Sequence, residues 1–305
     1  MTQEGFWRNM NSDNRRLYLR DAPLISNIWY LFPQGGGPAG AHTFQTFTDL
    51  APRLKSRDTI LLSGVLREQA TCPVGVYDVT VLGAANRPRQ ATSGGVPTGG
   101  GASWLAPTTP VALTPLIQVI EQGWRFENIQ MAPVAGAACI RFRRRETATI
   151  PDASHGQVIG CYFSTGGAAG QAIDVTECKR IKIADCDFEA LGAGPVITNT
   201  ADGGVSQNNY HHIVGNRFQR GNVIEIDLAC NDALIENNIF YALFGVEAGF
   251  RIDLTGGARN RVLRNHFSDA TAQYAVAGGY RTGAATDRWW NWVGDAADVI
   301  VANPA

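Results

Sequence analysis

Asp227 and Asp253 each occupy the middle of an Ile-Asp-Leu tripeptide, and Asp174 occupies the middle of a similar Ile-Asp-Val. If these tripeptides are strands stacked on one another, the carboxyl groups of Asp227 and Asp253 lie about 5 Å apart. A retaining glycosidase needs its nucleophile and its acid/base at that separation. Asp227 and Asp253, with Asp174 assisting, are therefore the candidate catalytic residues if the protein is an enzyme.

The same aspartates can also be interpreted as a row of ion pairs. Arg141 occupies the middle of an equivalent tripeptide and could pair with Asp174, while Arg251 and Arg261 lie close in sequence to Asp253. Neighbouring carboxylates also repel each other, which would raise the pKa of one of them. The residues alone leave both interpretations open.

Two insertions, residues 143–156 and 200–212, follow tripeptides that lie two repeats apart. In a stacked structure both insertions emerge on the same side and share a surface. Loops held by a rigid scaffold commonly carry binding residues, so this surface is the candidate contact surface. A solvated cluster of loops is the alternative. The candidate contact surface comprises Arg143, Arg144, Arg145, His155, Asp202, Asn208, Asn209, Tyr210, His211 and His212.

The sequence gives only weak signals for a metal. His211 and His212 are adjacent, but no acidic third ligand follows at helical or hairpin spacing, and no CxxC pair exists. We expect no metal and no cofactor. The cysteines are Cys72, Cys139, Cys161, Cys178, Cys186 and Cys230. Most of them lie within or beside short segments that we predict to be strands. We therefore expect buried, reduced thiols in a chain that folds in the cytoplasm.

Large aromatic side chains mark both ends of the chain. Near the N-terminus they are candidates for docking on a partner, with packing on their own domain as the alternative: Phe6, Trp7, Trp29 and Tyr30. Near the C-terminus a tryptophan cluster is expected to fold over the last repeat as a plug, with a sugar-stacking platform as the alternative. That cluster comprises Trp289, Trp290 and Trp292.

A six-residue phrase that recurs along the chain explains how these groups could be positioned. Its copies begin at residues 126, 158, 183, 213, 235 and 262, so the spacings are 32, 25, 30, 22 and 27 residues. Repeats of this length are typical of stacked architectures, in which each unit completes its core against its neighbours.

Four positions of the phrase have a constant character. The first and last are apolar and are predicted to point inward; the last positions include Phe163, Phe188, Phe218, Phe240 and Phe267. The third is mostly Asn, Gly or Asp, types that tolerate a left-handed backbone, so we expect a bend there. The fourth holds Cys161, Cys186, Asn216, Asn238 and Asn265 in the later copies. Stacked asparagines can hydrogen-bond along such a column, and Cys is a small buried substitute.

Together with the tripeptide, each repeat contains about three short strands and three turns. In its Asn-x-Phe phrase the chain resembles the pectate-lyase-like family of right-handed β-helices with the pectin-lyase fold. Residues 58–64 and 79–83 are similar to that family's first coils, and the resemblance covers residues 44–275. It implies an all-β, single-stranded, right-handed parallel β-helix solenoid of roughly 8 to 10 coils. A short N-terminal capping helix and irregular terminal extensions complete the prediction.

The predicted organisation has three parts. Residues 1–42 form an N-terminal arm, residues 43–277 form the β-helix, and residues 278–305 form a C-terminal cap. The capping helix is predicted from apolar residues at helical spacing, Phe44, Phe47, Leu50 and Leu54, with Thr43 as a candidate N-cap. Residues 84–115, rich in Gly, Pro, Thr and Ala, are predicted to form a lateral loop.

The resemblance is specific for the fold and weak for activity, since many functions share this scaffold. Residues 154–156, 180–182 and 199–202 are similar to polygalacturonase fragments, but their order differs and that enzyme's paired Asp element is missing. Without those carboxylates no acid protonates the leaving oxygen. A pectate lyase would require clustered Asp for calcium and a catalytic Arg, which the aspartate row with Arg251 approximates only roughly.

Composition sets broad bounds on function. The chain has 305 residues, 45% of them hydrophobic and 17% charged, with a net charge of −1. This length suffices for one solenoid domain. The near-neutral balance gives no reason to expect nucleic acid or an anionic membrane as partner. No apolar run reaches ~18 residues, so no membrane span is expected, and the polar first 17 residues show no secretory signal.

Two classes of function follow. The first is a non-enzymatic structural or adhesion protein similar to bacteriophage virion β-helices, which are commonly homotrimers serving as capsid decorations, head fibres or tailspikes. That resemblance implies a virion protein assembled in the host cytoplasm, docked by its N-terminal arm on a capsid or tail protein, with lateral loops that bind surface glycans. The second class is a polysaccharide hydrolase or lyase acting through Asp227 and Asp253. Sugar binding without cleavage is a third candidate.

Overall fold

The computed structural model describes residues 27–35, 40, 42–84, 101–143, 153–164, 171–189, 195–199, 208–219, 225–241, 252–267, 280–281, 287–293 and 299–302. Within these residues the chain forms short strands, one α-helix, α1 (Phe47–Leu50), and one 3-10 turn, Ala51–Arg53. The strands are β1 (Ile28–Leu31), β2 (Thr43–Phe44), β3 (Thr59–Leu62), β4 (Val65–Arg67), β5 (Ala70–Thr71), β6 (Thr80–Gly83), β7 (Ser103–Leu105), β8 (Ile117–Val119), β9 (Arg125–Glu127), β10 (Gln130–Ala132), β11 (Ala138–Arg143), β12 (Gln157–Ile159), β13 (Tyr162–Ser164), β14 (Gln171–Thr176), β15 (Lys182–Ala184), β16 (Asp187–Glu189), β17 (Ile197–Thr198), β18 (His212–Val214), β19 (Arg217–Gln219), β20 (Ile226–Asp227), β21 (Leu234–Glu236), β22 (Ile239–Tyr241), β23 (Ile252–Asp253), β24 (Arg261–Phe267), β25 (Tyr280–Arg281), β26 (Arg288–Val293) and β27 (Val299–Ala302).

The first strand of each coil stacks in parallel on the first strand of the next. The order runs β1, β3, β6, β9, β12, β15, β18, β21, β24 and β26. The register places one buried apolar column in the interior: Trp29, Ile60, Val81, Phe126, Val158, Ile183, Ile213, Ile235 and Val262. The predicted apolar first position of the phrase is therefore confirmed.

The second strand of each coil builds the aromatic column. The register aligns Leu66, Trp104, Met131, Phe163, Phe188, Phe218, Phe240 and Phe267, all of them buried. The five phenylalanine rings stack with centroid separations of 5.0, 4.9, 4.7 and 4.7 Å. These distances match the spacing of neighbouring strands, so the rings stack because the coils do.

The tripeptides form a second parallel sheet, in the order β5, β8, β11, β14, β17, β20, β23 and β25. Its inward column is almost uniform: Ile117, Ile140, Ile173, Ile197, Ile226 and Ile252. Both sheets enclose one apolar core. The chain is a parallel β-helix solenoid, as predicted.

The bend within the six-residue phrase is left-handed, as predicted. Its residues have φ between 54° and 68°: Asn128, Gly160, Asp185, Gly215, Asn237 and Arg264. Asn, Asp and Gly adopt this conformation more readily than other residues because their side chains are short or absent. The bend turns the backbone inward at the next position, where the small residues of the repeat are buried.

Those small residues form a hydrogen-bonded ladder, which confirms the predicted asparagine column. The Oδ1 atom of Asn216 accepts from the Cys186 N–H, and that of Asn238 accepts from the Asn216 N–H, at 3.0 and 2.9 Å. Asn265 and then Asn291 continue the series, each at 3.0 Å from the preceding backbone N–H. Each asparagine amide thus hydrogen-bonds to buried polar groups of neighbouring coils. Apolar side chains at this position would leave those groups without partners.

The N-terminal end of the solenoid begins earlier than residue 43. Strand β1 pairs with β2 and β3. Thr43 lies in β2 and pairs with Tyr30, so the prediction that Thr43 caps the helix was wrong. Thr46 is the N-cap instead, and its hydroxyl accepts from the Asp49 N–H. Helix α1 points Phe47 into the interior, 5.3 Å from the Trp104 ring.

Part of the predicted lateral loop over 84–115 belongs to the solenoid. Strand β7 pairs with β4 and β10, and Trp104 is completely buried in the aromatic column. Its indole Nε1–H donates to the Glu68 carbonyl at 2.8 Å. The prediction of a loop was wrong for Ser103–Leu105 because the glycine-rich sequence before it obscured a short coil strand.

The tryptophan-rich C-terminal stretch continues the repeat instead of leaving it at residue 277. Strand β26 pairs in parallel with β24, and Asn291 occupies the ladder. Strand β27 then pairs antiparallel with β26. The predicted plug over Trp289, Trp290 and Trp292 is thus a further coil. Trp290 is 54% exposed on its outer face. Within the described residues no helix has the length and apolarity needed to cross a bilayer.

Candidate functional site

The predicted aspartate row lies on the outer side of the second sheet. The register aligns Arg141 with Asp174 and Asp227 with Asp253 across neighbouring coils, with Thr198 between the two pairs. Asp227 and Asp253 are therefore direct neighbours, as the sequence predicted. The row is more sheltered than an open catalytic groove, since Asp174 and Asp253 are both buried.

Asp174 is engaged on both carboxylate oxygens. Its Oδ2 accepts from Arg141 Nε at 2.7 Å, and its Oδ1 accepts from the Thr176 hydroxyl at 2.6 Å. The ion-pair interpretation is therefore the one the geometry gives for this residue. A buried carboxylate held in this way supports the turn and is poorly placed to assist an external substrate.

Asp253 and Asp227 differ in their surroundings. Asp253 Oδ1 accepts from the Thr255 N–H at 2.9 Å, closing a local turn at the end of β23. Asp227 is half-buried, and both aspartates take part in further polar interactions. Arg261, one expected partner of Asp253, belongs to β24 of the other sheet, and Arg251 lies outside the described residues.

The turn before each first strand forms a second left-handed column. We call its later members the outer turn row: His155, Arg180, Tyr210, Asp232 and Arg259, with φ between 57° and 63°. The backbone N–H of each of the first four donates to a carbonyl of the next coil at 2.9 to 3.0 Å. His155 and Tyr210, which lie in the two predicted insertions, occupy this row two coils apart.

The side chains of the outer turn row interact along the solenoid axis. The Arg180 guanidinium carbon lies 5.7 Å from the centroid of the Tyr210 ring. Asp232 accepts from Arg259 in a bidentate pair at 2.8 and 2.7 Å, and these hydrogen bonds lower the pKa of Asp232. Tyr210 is 52% exposed. The row thus presents an aromatic ring with a cationic side chain, Arg180, on one side and the Asp232–Arg259 ion pair on the other.

His211 does not belong to the contact surface, which corrects the prediction. The residue after each outer-turn position points inward, and His211 is only 2% exposed. Its Nδ1 accepts from the Ile181 N–H at 3.3 Å, while its Nε2 has no hydrogen-bond partner within the described residues. Burial lowers the pKa of His211 to about 4, so the imidazole is neutral at pH 7.

This buried imidazole predicts an acid-sensitive step in stability. Between pH 6.5 and about 4 the unfolded chain binds a proton at His211 that the folded chain does not. The free energy of unfolding should therefore fall as the pH falls through this window, by about 3 kcal/mol at its acid end. Denaturant titrations at pH 7 and pH 4.5 should show a smaller drop for His211→Asn, whose Oδ1 can accept from Ile181. His155→Asn, at an exposed histidine, is the control, and an unchanged drop in His211→Asn would contradict the assignment.

The other predicted surface residues lie apart from the row or outside the described residues. His212 Nε2 lies 3.1 Å from Glu236 Oε1 on the outer face of the first sheet, and Arg264 pairs with the same carboxylate. Burial raises the pKa of Glu236, but these two partners outweigh it and the net direction is downward. Arg143 is half-buried at the end of β11. Arg144, Arg145 and Asp202 lie outside the described residues, Asn208 is buried, and Asn209 is half-buried.

The cysteines lie in surroundings typical of structural residues. All six are free and buried. Burial raises the pKa of the thiols of Cys72, Cys139, Cys178 and Cys186, and raises that of Cys230 to about 12. Such thiols are poor nucleophiles at neutral pH. Within the described residues no cluster of three or more His, Cys, Asp or Glu side chains could hold a metal ion.

The predicted N-terminal docking residues divide into two pairs. Trp29 is buried in its own chain, where its Nε1–H donates to Asp58 Oδ2 at 2.7 Å, so the alternative of packing on its own domain applies. Tyr30 is half-buried with its ring 6.2 Å from that of Phe32. Phe6 and Trp7 lie outside the described residues.

Comparison with known proteins gives few matches. No family model matches the chain, and no curated protein sequence is similar to it. One similar solved structure is ORF18 of Geobacillus virus E2, at 10% identity and a TM-score of 0.43 over 87% of this chain and 61% of that one. Another is the PL6 family alginate lyase AlyGC, at 13% identity and a TM-score of 0.45 over 87% of this chain and 38% of that one. The chain spans less than two thirds of either protein, and likeness at this level concerns the course of the backbone only.

Proposed function

We propose that this chain is a non-enzymatic structural and adhesion β-helix, a bacteriophage virion component of the capsid-decoration, head-fibre or tailspike kind. The observation that carries the proposal is that the interior residues stabilise the solenoid while the turns expose side chains that the fold does not require. The asparagine ladder and the phenylalanine stack hold successive coils together. The outer turn row, which these columns do not need, presents exposed polar and aromatic side chains.

Binding of surface glycans by the lateral turns is the adhesive part of the proposal. Sugar rings pack their apolar faces on exposed aromatic rings, and charged neighbours add directional hydrogen bonds. Tyr210 offers such a ring, and it is flanked along the row by Arg180 on one side and by Asp232, which pairs with Arg259, on the other. The two insertions that lead into the row supply further contact residues in this proposal.

Assembly is the structural part of the proposal. The protein forms a homotrimer, docks through an N-terminal arm containing Phe6 and Trp7, and assembles in the host cytoplasm. The buried free thiols support this compartment, because disulfides form mainly where conditions are oxidising. The aromatic residues of the N-terminal arm, which suit docking on a partner, add support from the sequence.

A polysaccharide hydrolase or lyase acting through Asp227 and Asp253 is the second candidate. One specific observation favours it, the direct register of the two aspartates in neighbouring strands β20 and β23. Against it stands the engagement of Asp253 by the Thr255 N–H and of Asp174 by Arg141. In this alternative the outer turn row would line a binding groove for the chain that is cut.

A polysaccharide panel separates the two functions. We expect wild-type protein to leave the chain length of every polymer unchanged while retaining at least one of them on an affinity gel. Asp227→Asn and Asp253→Asn should bind as wild type does, because the proposed contact surface lies on another turn. Cleavage by wild type that both variants abolish would establish the enzyme instead.

Light scattering after size exclusion tests assembly on the same samples. The expected mass is that of three chains of 32.8 kDa. A stable monomer over the whole concentration range would contradict the trimeric virion protein, whatever the polysaccharide panel shows.

A further inference from the structure

The outer turn row and the bend within the phrase have the same backbone conformation but different residues. At the bend, five of six left-handed positions are Asn, Gly or Asp, as the backbone alone would favour. In the outer turn row the left-handed positions are His155, Arg180, Tyr210, Asp232 and Arg259. Three of these five, Arg180, Tyr210 and Arg259, gain nothing from that conformation, whereas Asp and His adopt it more readily.

This contrast indicates that the side chains themselves are needed. A bulky residue in the left-handed region is strained by roughly 1 kcal/mol. Gly123 occupies the equivalent turn in an earlier coil without that strain, so the fold accepts glycine there. Residues that keep a strained turn and add exposed surface are typical of contact sites.

Arg180 is the one guanidinium of the row without a charge partner among the described residues. Arg259 is neutralised by Asp232 in the bidentate pair described above. Arg180 instead lies over the Tyr210 ring, and this cation–π contact positions its guanidinium. The N–H groups of the guanidinium remain available to bind a ligand. A planar guanidinium of this kind recognises a carboxylate by two parallel hydrogen bonds.

We propose that Arg180 and Tyr210 form a subsite for an acidic saccharide. A uronic or sialic acid residue places its carboxylate on the Arg180 guanidinium and its ring against the exposed part of Tyr210. The two side chains belong to neighbouring coils and lie about 5 Å apart along the axis, which fits one sugar unit. This inference rests on the proposed glycan-binding function and names the class of glycan.

A saccharide fits this subsite better than nucleic acid does. Binding of a nucleic acid backbone requires several cations along the groove to neutralise successive phosphates. Here Asp232 follows Tyr210 in the row and cancels Arg259, and the whole chain carries a net charge of −1. One available guanidinium beside one aromatic ring matches a single carboxylate on a sugar.

Affinity electrophoresis with matched polymers tests the subsite. The probes are polygalacturonate, hyaluronate and polysialate, each beside its carboxyl-reduced form, and a single-stranded DNA oligonucleotide. We expect at least one acidic polymer to bind and its reduced form to bind about tenfold more weakly. Arg180→Gln and Tyr210→Ala should each weaken binding about tenfold, while Tyr210→Phe keeps the ring and binds as wild type does.

Arg217→Gln is the matched control. The guanidinium carbon of Arg217 also lies over a tyrosine ring, 5.5 Å from the centroid of Tyr241. Unlike Arg180, however, Arg217 lies in strand β19 and pairs with Asp187. Its removal should leave binding unchanged, and circular dichroism should show all variants folded.

Four results would overturn the subsite. Equal binding of acidic and reduced polymers that only Tyr210→Ala abolishes would mean a neutral-sugar site, and the proposed adhesion function would survive. Unchanged binding in Arg180→Gln, or equal binding of the DNA, would place recognition elsewhere or make it unspecific. No binding of any acidic polymer would remove the subsite, while the mass and cleavage measurements would still decide the virion proposal separately.

Discussion

Replacing Asn238 with alanine should lower the free energy of unfolding by about 5 kcal/mol. Its side chain is completely buried in the middle of the ladder. Nδ2 donates to the Ile213 carbonyl at 3.0 Å and to Asn265 Oδ1 at 2.8 Å. Oδ1 accepts from both the backbone N–H and the side-chain amide of Asn216, each at 2.9 Å.

The loss is large because the partners of Asn238 cannot turn to water. Alanine leaves the Asn216 N–H and the Ile213 carbonyl without these partners inside the solenoid, and each orphaned group costs about 1–3 kcal/mol. Denaturant titration followed by circular dichroism measures the effect.

Asn237→Gly is the control for that substitution. Asn237 is adjacent in sequence, but it is exposed and has a φ of 55°, a conformation that glycine adopts freely. We expect its stability to stay within about 0.5 kcal/mol of wild type. A loss in Asn238→Ala no larger than that in Asn237→Gly would mean that the ladder contributes little.

Replacing Phe218 with alanine should cost about 4 kcal/mol. Its ring is fully buried between Phe188 at 4.9 Å and Phe240 at 4.7 Å, nearly parallel to both. Neighbouring coils cannot close the gap, because their separation is fixed by backbone hydrogen bonds on either side of the column. The cavity therefore persists, and its energetic penalty is added to the loss of apolar burial.

Tyr210→Ala provides the comparison for this deletion of an aromatic ring. Tyr210 is 52% exposed, so its removal creates no cavity and should change the unfolding free energy by less than about 0.5 kcal/mol. Equal losses in the two variants would contradict the assignment of Phe218 to a packed interior stack.

The interior columns could be predicted because each is read out by a repeated residue type. Phe188, Phe218 and Phe240 recur at one position of the phrase, and an apolar side chain at a constant position must face the core. The bend followed from Asn, Gly and Asp for the same reason. These positions need only the local phrase and no knowledge of the loops between copies.

The last coil escaped prediction because its phrase is one residue shorter. The register shifts between Leu263 and His266, so Arg264 has no counterpart in β26. Asn291 therefore follows Trp290 directly, and a search for six residues with Asn in fourth place misses it. The ladder position itself was visible as an asparagine among tryptophans.

The outer turn row carried no residue-type signal. Its left-handed positions hold Arg180, Tyr210 and Arg259, which do not favour that conformation, and insertions of different length precede it. Without the row, His211 could not be assigned to the interior, because the direction of a side chain depends on the turn immediately before it. The burial of Asp174 was likewise hidden, since its cover comes from parts of the chain distant in sequence.

Hydrogen exchange at the Asn216 amide tests most directly that the coils are joined through one continuous interior. This N–H donates to Asn238 Oδ1 at 2.9 Å inside the solenoid. In the wild-type protein it should exchange only through global unfolding, and in Asn238→Ala its protection should fall far more than the global stability does. Rapid exchange of this amide in the wild-type protein, at the rate of an exposed loop, would contradict the stacked interior on which the proposed binding surface depends.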